Sequence, residues 1–458
     1  MRWVVDVRKV RARCAARAAC LALFWAAAAA AETAGAGDEP AGSALTLQDC
    51  IERALVLNPA AINARHDTEM AEATIRQAWG LVLPNVSVDG AYSRLDEVET
   101  LDFGGDAFKL GSEDTYSAGL SASQLLYSGG KASAALRAGE LARRRARWSR
   151  RRVEGDLVRD VRLGFADLLL ARCDVEVRRE SLDHLRELQR QMEDRMAAGK
   201  AAEYDVIAAR VRVANEVPRL DASSNALALA QSEFRRLIAL DDGPFHAVGE
   251  LVLHPVTNTL DEWLAQARDQ NPSLRELAAV VALREQDVIY TRAGAYPELK
   301  ANANYRGANS YGFASGGDTW EWHWSAGVTL SWDIWNGGAT RAAAREREYG
   351  VAKARNDLAD ARRAVELDVR RAWLDAELAA RTAAAGRENI VLARRGLAIA
   401  EQRTKVGLAT YLDYLYAQLA LSEASLTYYR ALRDHMNATT RLAHAAGGGG
   451  AGMERDHE

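Results

Sequence analysis

Two hydrophobic periods share this chain, and they take turns. From Lys131 to Ala197 there is no proline. In that stretch Val161, Leu168, Val175 and Leu182 recur every seven residues, with Val158 and Phe165 on a neighbouring track. The run from Ala339 to Val406 is also free of proline. A helix of this length spans roughly 100 Å at ~1.5 Å per residue. Its heptad spacing asks for other helices as partners. Gly199 and Gly407 interrupt the two patterns. Returning helices are expected at 204–240 and 411–444.

The other period is two. Along TWEWHWSAGVTLSWDIW (319–335), Trp320, Trp322, Trp324, Ala326, Val328, Leu330 and Trp332 fall on one phase. Glu321, His323, Ser325, Gly327, Thr329, Ser331 and Asp333 fall on the other. Such alternation predicts a strand over 320–335 with one apolar face. An edge of a soluble sandwich would give the same alternation. Here, though, the aromatic residues gather at both ends of the apolar face and leave its middle aliphatic. Ten residues separate Trp322 from Trp332, roughly 33 Å of strand. Tilted by about 45°, that strand covers the ~25 Å apolar band of an outer-membrane barrel with its two aromatic girdles. The expected girdle is Trp320, Trp322, Trp324, Trp332 and Trp335. Further strands are expected at 85–94, 115–127 and 299–306. Loops 95–114 and 307–319 would join them. The first loop carries seven acids against Lys109, a solvated run or a cation site.

The chain is written twice. LTLQDCIERALVLNP (45–59) matches NTLDEWLAQARDQNP (258–272) at an offset of 213, and Pro84 with Pro297 and Tyr92 with Tyr305 keep that offset. At an offset of 208, Ser117-Ala118-Gly119-Leu120 matches Ser325-Ala326-Gly327-Val328, and Gly129-Gly130 matches Gly337-Gly338. Gly199 with Gly407 and Asp205 with Asp413 follow. One loop is thus five residues shorter in the second half. The expected layout is a first repeat over 47–240 (helix 47–81, two strands, helices 131–197 and 204–240). A linker over 241–258 leads to a second repeat over 259–444 (helix 259–295, two strands, helices 339–405 and 411–444). Pro218 sits inside a returning helix, where proline usually kinks; its mate is Leu426.

Composition narrows the setting. Residues 1–31 read as a secretory signal, with a basic start and the apolar core CLALFWAAAAAA; residues 32–46 then form a linker. Without residues 1–31 the chain has 53 bases against 62 acids, a net charge near −9. An exported acidic protein is not expected to bind nucleic acid. Cys50 and Cys173 remain, most simply as free thiols. The tail AAGGGGAGMERDHE (445–458) reads as disordered.

Four strands cannot close a barrel, and bare edges are not tolerated in lipid. Two chains would give eight strands, whose interior side chains fill. Three chains give twelve and leave a lumen. The doubled Thr-Leu…Asn-Pro opening, the Gly-Gly after each second strand and the Gly-x5-Asp tips resemble the TolC-like outer-membrane efflux proteins. The resemblance runs over nearly all of 45–445. It implies a homotrimer whose twelve-stranded membrane β-barrel continues into a long periplasmic α-helical barrel. It also implies a passive duct for small toxic molecules, drugs or secreted polypeptides. The duct would meet a periplasmic adaptor and an inner-membrane transporter, and would need no cofactor.

The sharpest site candidates are the tips GKAAEYD (199–205) and GLATYLD (407–413). Glycine suits a left-handed helix end, and Thr410 with Asp413 reads as a variant capping box. The resemblance places Gly199, Asp205, Gly407, Thr410, Asp413 and Tyr416 at the periplasmic aperture, against the adaptor. Three copies of Asp413 would form an acidic ring. The cluster RRRARWSRRR (143–152) reads as a solvated helix face or as a basic belt lining the lumen. No catalytic motif appears: the eight histidines have no metal-ligand spacing, and there is no Walker loop. The competing function is a periplasmic coiled-coil scaffold or adaptor, which would have no use for four amphipathic strands. Such a scaffold would wash out in salt, whereas a barrel needs detergent.

Overall fold

The computed structural model describes residues 43–448, apart from 99, 104–105, 110–111, 242–244, 254–255, 313–316 and 407. The expected signal at 1–31 and most of the tail lie outside the described residues. Two compact units result. The smaller holds a parallel pair, β1 (Ser43–Leu45) with β6 (Phe245–Ala247). The larger holds everything else.

In the larger unit the first half runs α1 (Leu47–Leu57), α2 (Pro59–Gly80), β2 (Asn85–Arg94), β3 (Thr100–Phe103), β4 (Asp106–Lys109), β5 (Asp114–Tyr127), α3 (Lys131–Ala197) and α4 (Glu203–Leu237). The second half runs α5 (Leu260–Gln270), α6 (Pro272–Ala293), β7 (Glu298–Gly312), β8 (Gly317–Ser331), α7 (Ala339–Lys405) and α8 (Tyr411–Ala445). The helices match in length: 11, 22, 67 and 35 residues in each half.

Each expected opening helix is in fact two. The helix expected over 47–81 breaks at Asn58-Pro59, and the one over 259–295 breaks at Asn271-Pro272. Proline cannot donate to the preceding turn, and it pushes the residue before it out of the helical region. Asn58 and Asn271 are accordingly extended. Each caps the helix it opens: the Asn58 side-chain Oδ1 accepts from the Ala60 N–H at 2.8 Å, and Asn271 Oδ1 from the Ser273 N–H at 3.0 Å. Each also donates from its side-chain Nδ2, Asn58 to the Leu237 carbonyl at 2.7 Å and Asn271 to the Ala445 carbonyl at 2.9 Å. One side chain therefore splices the end of a returning helix to the start of a short upper helix. The duplicated Asn-Pro is this splice.

The long α3 packs against α2 and α4, and against α6 and α8; α7 packs against α6 and α8. Spliced pairs thus alternate with long helices. The heptad residues Val161, Phe165, Leu168 and Leu182 are buried, as their spacing asks. On α7, a cluster of Val369 and Ala372 receives Trp263, Leu264 and Ala267 of α5 and Leu442 of α8. The α1 helix likewise packs on α3.

Four strands form one antiparallel sheet in the order β2-β5-β7-β8. The stretch 95–114, expected as a loop, holds the hairpin β3–β4. The stretch 307–319, also expected as a loop, is largely strand, because small residues there pair through their backbones. Expected strand 320–335 ends early, at Ser331, opposite Glu298. The next partner would be Pro297, which has no N–H to give the ladder. Trp332 and Trp335 therefore lie beyond β8.

Gly129, Gly130, Gly337 and Gly338 all have positive φ. They turn each second strand into its long helix. A Cβ on Gly129 would stand 2.4 Å from the Cβ of Tyr296, so this turn accepts nothing larger. The expected disordered tail is ordered at its start: Ala446 is fully buried, and Gly447 ends α8 with φ +87.

Candidate functional site

Residues paired directly across an antiparallel sheet share a face. The register therefore assigns both faces. One row reads Val88, Leu120, Tyr305, Trp324; another reads Val86, Ala122, Ala303, Ala326. A third reads Gly90, Ala118, Gly307, Trp322. The face is apolar across all four strands, yet it is not buried: Val88 is 80% and Trp324 78% exposed. Apolar side chains this open, over four adjacent strands, call for a non-aqueous surround.

Aromatic rings crowd the end of this face farthest from the helices. Trp322 lies over Gly307, stacks on Tyr305 with centroids 5.0 Å apart and meets Trp320 at 6.0 Å. Tyr92 and Tyr116 pair at 4.9 Å. The aliphatic Ala326, Val328 and Leu330 follow. At the helix end Trp332 donates its indole N–H to the Ala295 carbonyl at 3.1 Å. Trp335 is 81% exposed.

The opposite face is polar. Ser87 and Ser121 hydrogen-bond at 2.7 Å, and Asn302 donates to Thr329 at 3.0 Å. Arg306 reaches Asp89 at 3.2 Å across the intervening β5 strand. The crossing residue is Gly119. A Cβ there would stand 3.1 Å from both Asp89 carboxylate oxygens, so the missing side chain lets the ion pair span two strands. The sequence showed both phases of β8 but gave no sign of this pair.

At the helix tips the two halves differ. Gly199 has φ +69, and the Asp205 carboxylate accepts from the Ala202 N–H at 3.3 Å. Ala202 offers no side-chain oxygen in return, so only half a capping box forms. In the second half Thr410 Oγ1 accepts from the Asp413 N–H at 3.2 Å, and the Asp413 carboxylate accepts from the Thr410 N–H at 2.8 Å and its hydroxyl at 2.7 Å. These bonds hold the Asp413 carboxyl below its ordinary pKa. Tyr416 is exposed. Gly407 lies outside the described residues. Between the tips, Leu188 and Met192 of α3, Val206 of α4 and Leu415 of α8 form one apolar cluster. The Arg195 guanidinium donates to the Thr404 carbonyl of α7 at 3.3 Å.

Among the described residues no group of side chains could hold a metal, and no helix is long and apolar enough to cross a membrane. Cys50 and Cys173 are free, and burial pushes the Cys50 thiol up to about 11.

A long helical layer joined to a two-faced sheet defines the class, a transport channel rather than an enzyme fold. The chain matches the family described as outer membrane efflux protein at residues 50–240 and again at 263–448, and it belongs to that family. It is 23% identical over 403 residues to the outer membrane protein TolC of Vibrio cholerae, covering 85% of this chain and 88% of that one. It is 26% identical over 293 residues to the alkaline protease secretion protein AprF of Pseudomonas aeruginosa. That match takes in 62% of this chain and 60% of the relative's length. Of solved structures, CusC superposes with a TM-score of 0.74 at 18% identity, covering 88% of this chain and 92% of that one. The Campylobacter jejuni CmeC outer membrane channel gives 0.74 at 16% identity, covering 88% and 86%. The place of this chain is thus the outer membrane, with a large periplasmic helical part.

Proposed function

We propose that three copies of this chain close a twelve-stranded barrel and form an export duct fed by an inner-membrane transporter through a periplasmic adaptor. One observation carries the reading: a four-stranded sheet with an apolar face, a polar face and a bare edge on β2 and on β8. In lipid each unpaired backbone group costs several kcal/mol, so the edges must be paired by further copies. The apolar face then meets lipid, with Trp320, Trp322 and Trp324 in one girdle and Trp332 and Trp335 near the other. The polar face lines the lumen. The tips form the periplasmic aperture and the adaptor contact. Gly199, Asp205, Gly407, Thr410, Asp413 and Tyr416 belong to it, with Asp413 as its acidic ring. Transport energy comes from the pump. AprF is named for the secretion of a protease, and OpmQ of Pseudomonas aeruginosa, 25% identical over 417 residues, for pyoverdine export. The cargo of this duct is whatever its own pump delivers.

Native mass spectrometry of the detergent-extracted protein should find three chains. In the same assay Val328→Arg should destabilise assembly by about 2–4 kcal/mol, whereas Thr329→Arg should assemble normally. A salt-extractable monomer, or equal damage from both variants, would favour the periplasmic scaffold.

A further inference from the structure

The stretch 143–152 carries seven arginines, and the duct reading gives them no task. The repeat shows that the fold does not require them. The equivalent ten residues of α7, 351–360, hold Lys353 and Arg355 against Asp357 and Asp360. Two helices of equal length, at equivalent places in the repeat, thus differ sharply in charge at one level.

The arginines divide by face. On α7, Val365, Val369, Ala372 and Trp373 belong to the cluster that takes in Trp263, Leu264 and Ala267 of α5. Their repeat mates on α3 are Leu157, Val161, Gly164 and Phe165. Stepping back by sevens from Leu157, Val161 and Phe165 reaches Arg150 and Arg143, then Arg147, then Arg151 and Arg144. Five arginines therefore share the side of the helical layer on which α1 and α5 pack. That side is the exterior of the tunnel, since helices packed inside would fill the lumen; this step rests on the duct reading. Arg145 and Arg152 lie about 150° round the helix, and both pair with Glu276, at 3.8 Å and 3.0 Å.

The exterior five are incompletely neutralised. Arg143 pairs with Glu140, Arg147 with Glu72 and Arg150 with Glu154. Arg144 has no carboxylate at ion-pair distance among the described residues. Arg151 has none either, and stacks its guanidinium 4.8 Å over the ring of Trp148. Both are exposed. With Trp148, Thr68 and Glu72 they line an open cleft of about 590 Å³ between α2 and α3.

We propose that this patch docks the duct on the carboxylate-bearing glycan–peptide polymer of the cell wall. The arginines start 13 residues past Gly130, so they lie roughly 20–33 Å down the helix from the strands. Lipid headgroups, confined to a zone several ångströms deep at the hydrocarbon boundary, do not reach that level. A tube crossing the periplasm must pass through the wall, and the wall offers a dense array of carboxylates. Three patches per trimer suit a polymer of repeated charges, because each further contact is intramolecular. The guanidinium fork matches a carboxylate, and the ring under Arg151 keeps that fork in place.

The test uses the full-length trimer in detergent, sedimented with purified insoluble peptidoglycan sacculi and, separately, with vesicles containing anionic phospholipid. The trimer should sediment with the sacculi at low salt and be released as screening rises. Arg144→Glu with Arg151→Glu should weaken sedimentation at least about tenfold while native mass spectrometry still finds the trimer. The control is Ala352→Glu with Ala359→Glu, the same two positions on α7, which should bind like the parent. Absence of binding by the parent overturns the proposal. So does preference for vesicles, or an equal loss in the control. Unchanged binding, with altered ion selectivity of the reconstituted channel, would overturn it in favour of a belt inside the lumen. Failure of the duct reading would show separately, as a chain that never trimerises; its sedimentation with sacculi would still decide the patch.

Discussion

The two helical hairpins have the same lengths and opposite middles. Halfway along the first, Arg178 of α3 reaches the buried Glu216 of α4 at 3.3 Å, and Arg219 joins from the other side at 3.2 Å. Two residues on is Pro218. In the second hairpin the mate of Arg178 is Gly386, and a Cβ there would already meet Tyr428 Cα at 3.3 Å. The mate of Pro218 is Leu426, which is buried. One hairpin is thus joined at its middle by an ion pair and lacks a helical hydrogen bond at Pro218; the other has a tyrosine backbone close against a glycine. Duplication preserved the lengths of the arms and left the contacts at their middles free to diverge. The tight backbone approach leaves no room for added volume, whereas the buried Glu216 needs its arginine partners, because an unpaired buried charge is costly.

Exchanging the middles is the strongest way to break this contrast. Gly386→Arg should destabilise the second hairpin by about 3 kcal/mol through overpacking against Tyr428, read by differential scanning fluorimetry of the detergent-extracted protein. A neutral result would mean that the two middles are interchangeable. Pro218→Ala acts in the opposite sense on the first hairpin. It restores an N–H that can reach the carbonyl four residues back, and it should stabilise by about 2 kcal/mol; slower hydrogen exchange in residues 211–220 would localise the gain.

A smaller asymmetry sits where the returning helices end. Ala239 has φ +49 and is the one non-glycine residue with positive φ among the described residues; its mate is Gly447 at +87. Ala239→Gly should stabilise by about 1 kcal/mol, by relieving left-handed strain. Gly447→Ala should cost more than that, because its Cβ would fall 2.7 Å from the Gln270 backbone. The tips should differ least. Because Thr410 lowers the Asp413 pKa, that cap is complete above the ordinary carboxylate range near pH ~4. It is lost as pH falls through the folded value. Amide protection at 410–413 should therefore decline on acidification in the parent and be low at every pH in Asp413→Asn. Identical profiles would remove the cap from the account.

Local signals made much of this legible. The long helices could be read to the residue, because a proline-free heptad run bounded by paired glycines leaves few alternatives. The apolar phase of β8 was equally plain. What escaped depended on partners distant in sequence. The strand at 320–335 ends four residues early because Pro297 lies opposite, and a strand does not announce its neighbour's proline. Asn58-Pro59 and Asn271-Pro272 were visible as motifs, but the apolar period runs across them and hid the breaks. Their second bond, to a carbonyl more than 170 residues away, has no local trace. At the tips, Thr410 and Asp413 were readable as a cap, whereas the missing oxygen at Ala202 weakened the same motif in the first half.

The matched lengths, 67 and 35 residues in each half, set a dimensional tolerance. One residue deleted from a single arm shortens it by ~1.5 Å and turns everything beyond it through about 100°. The antiparallel arm cannot follow without the same deletion. Keeping the two hairpins of one chain matched in length therefore requires four helices to change together. Lengthening this tube by evolution or design must proceed in quanta: seven residues in each of the four arms, adding ~10 Å of reach. Any other increment would break the register between the arms that pack along one another.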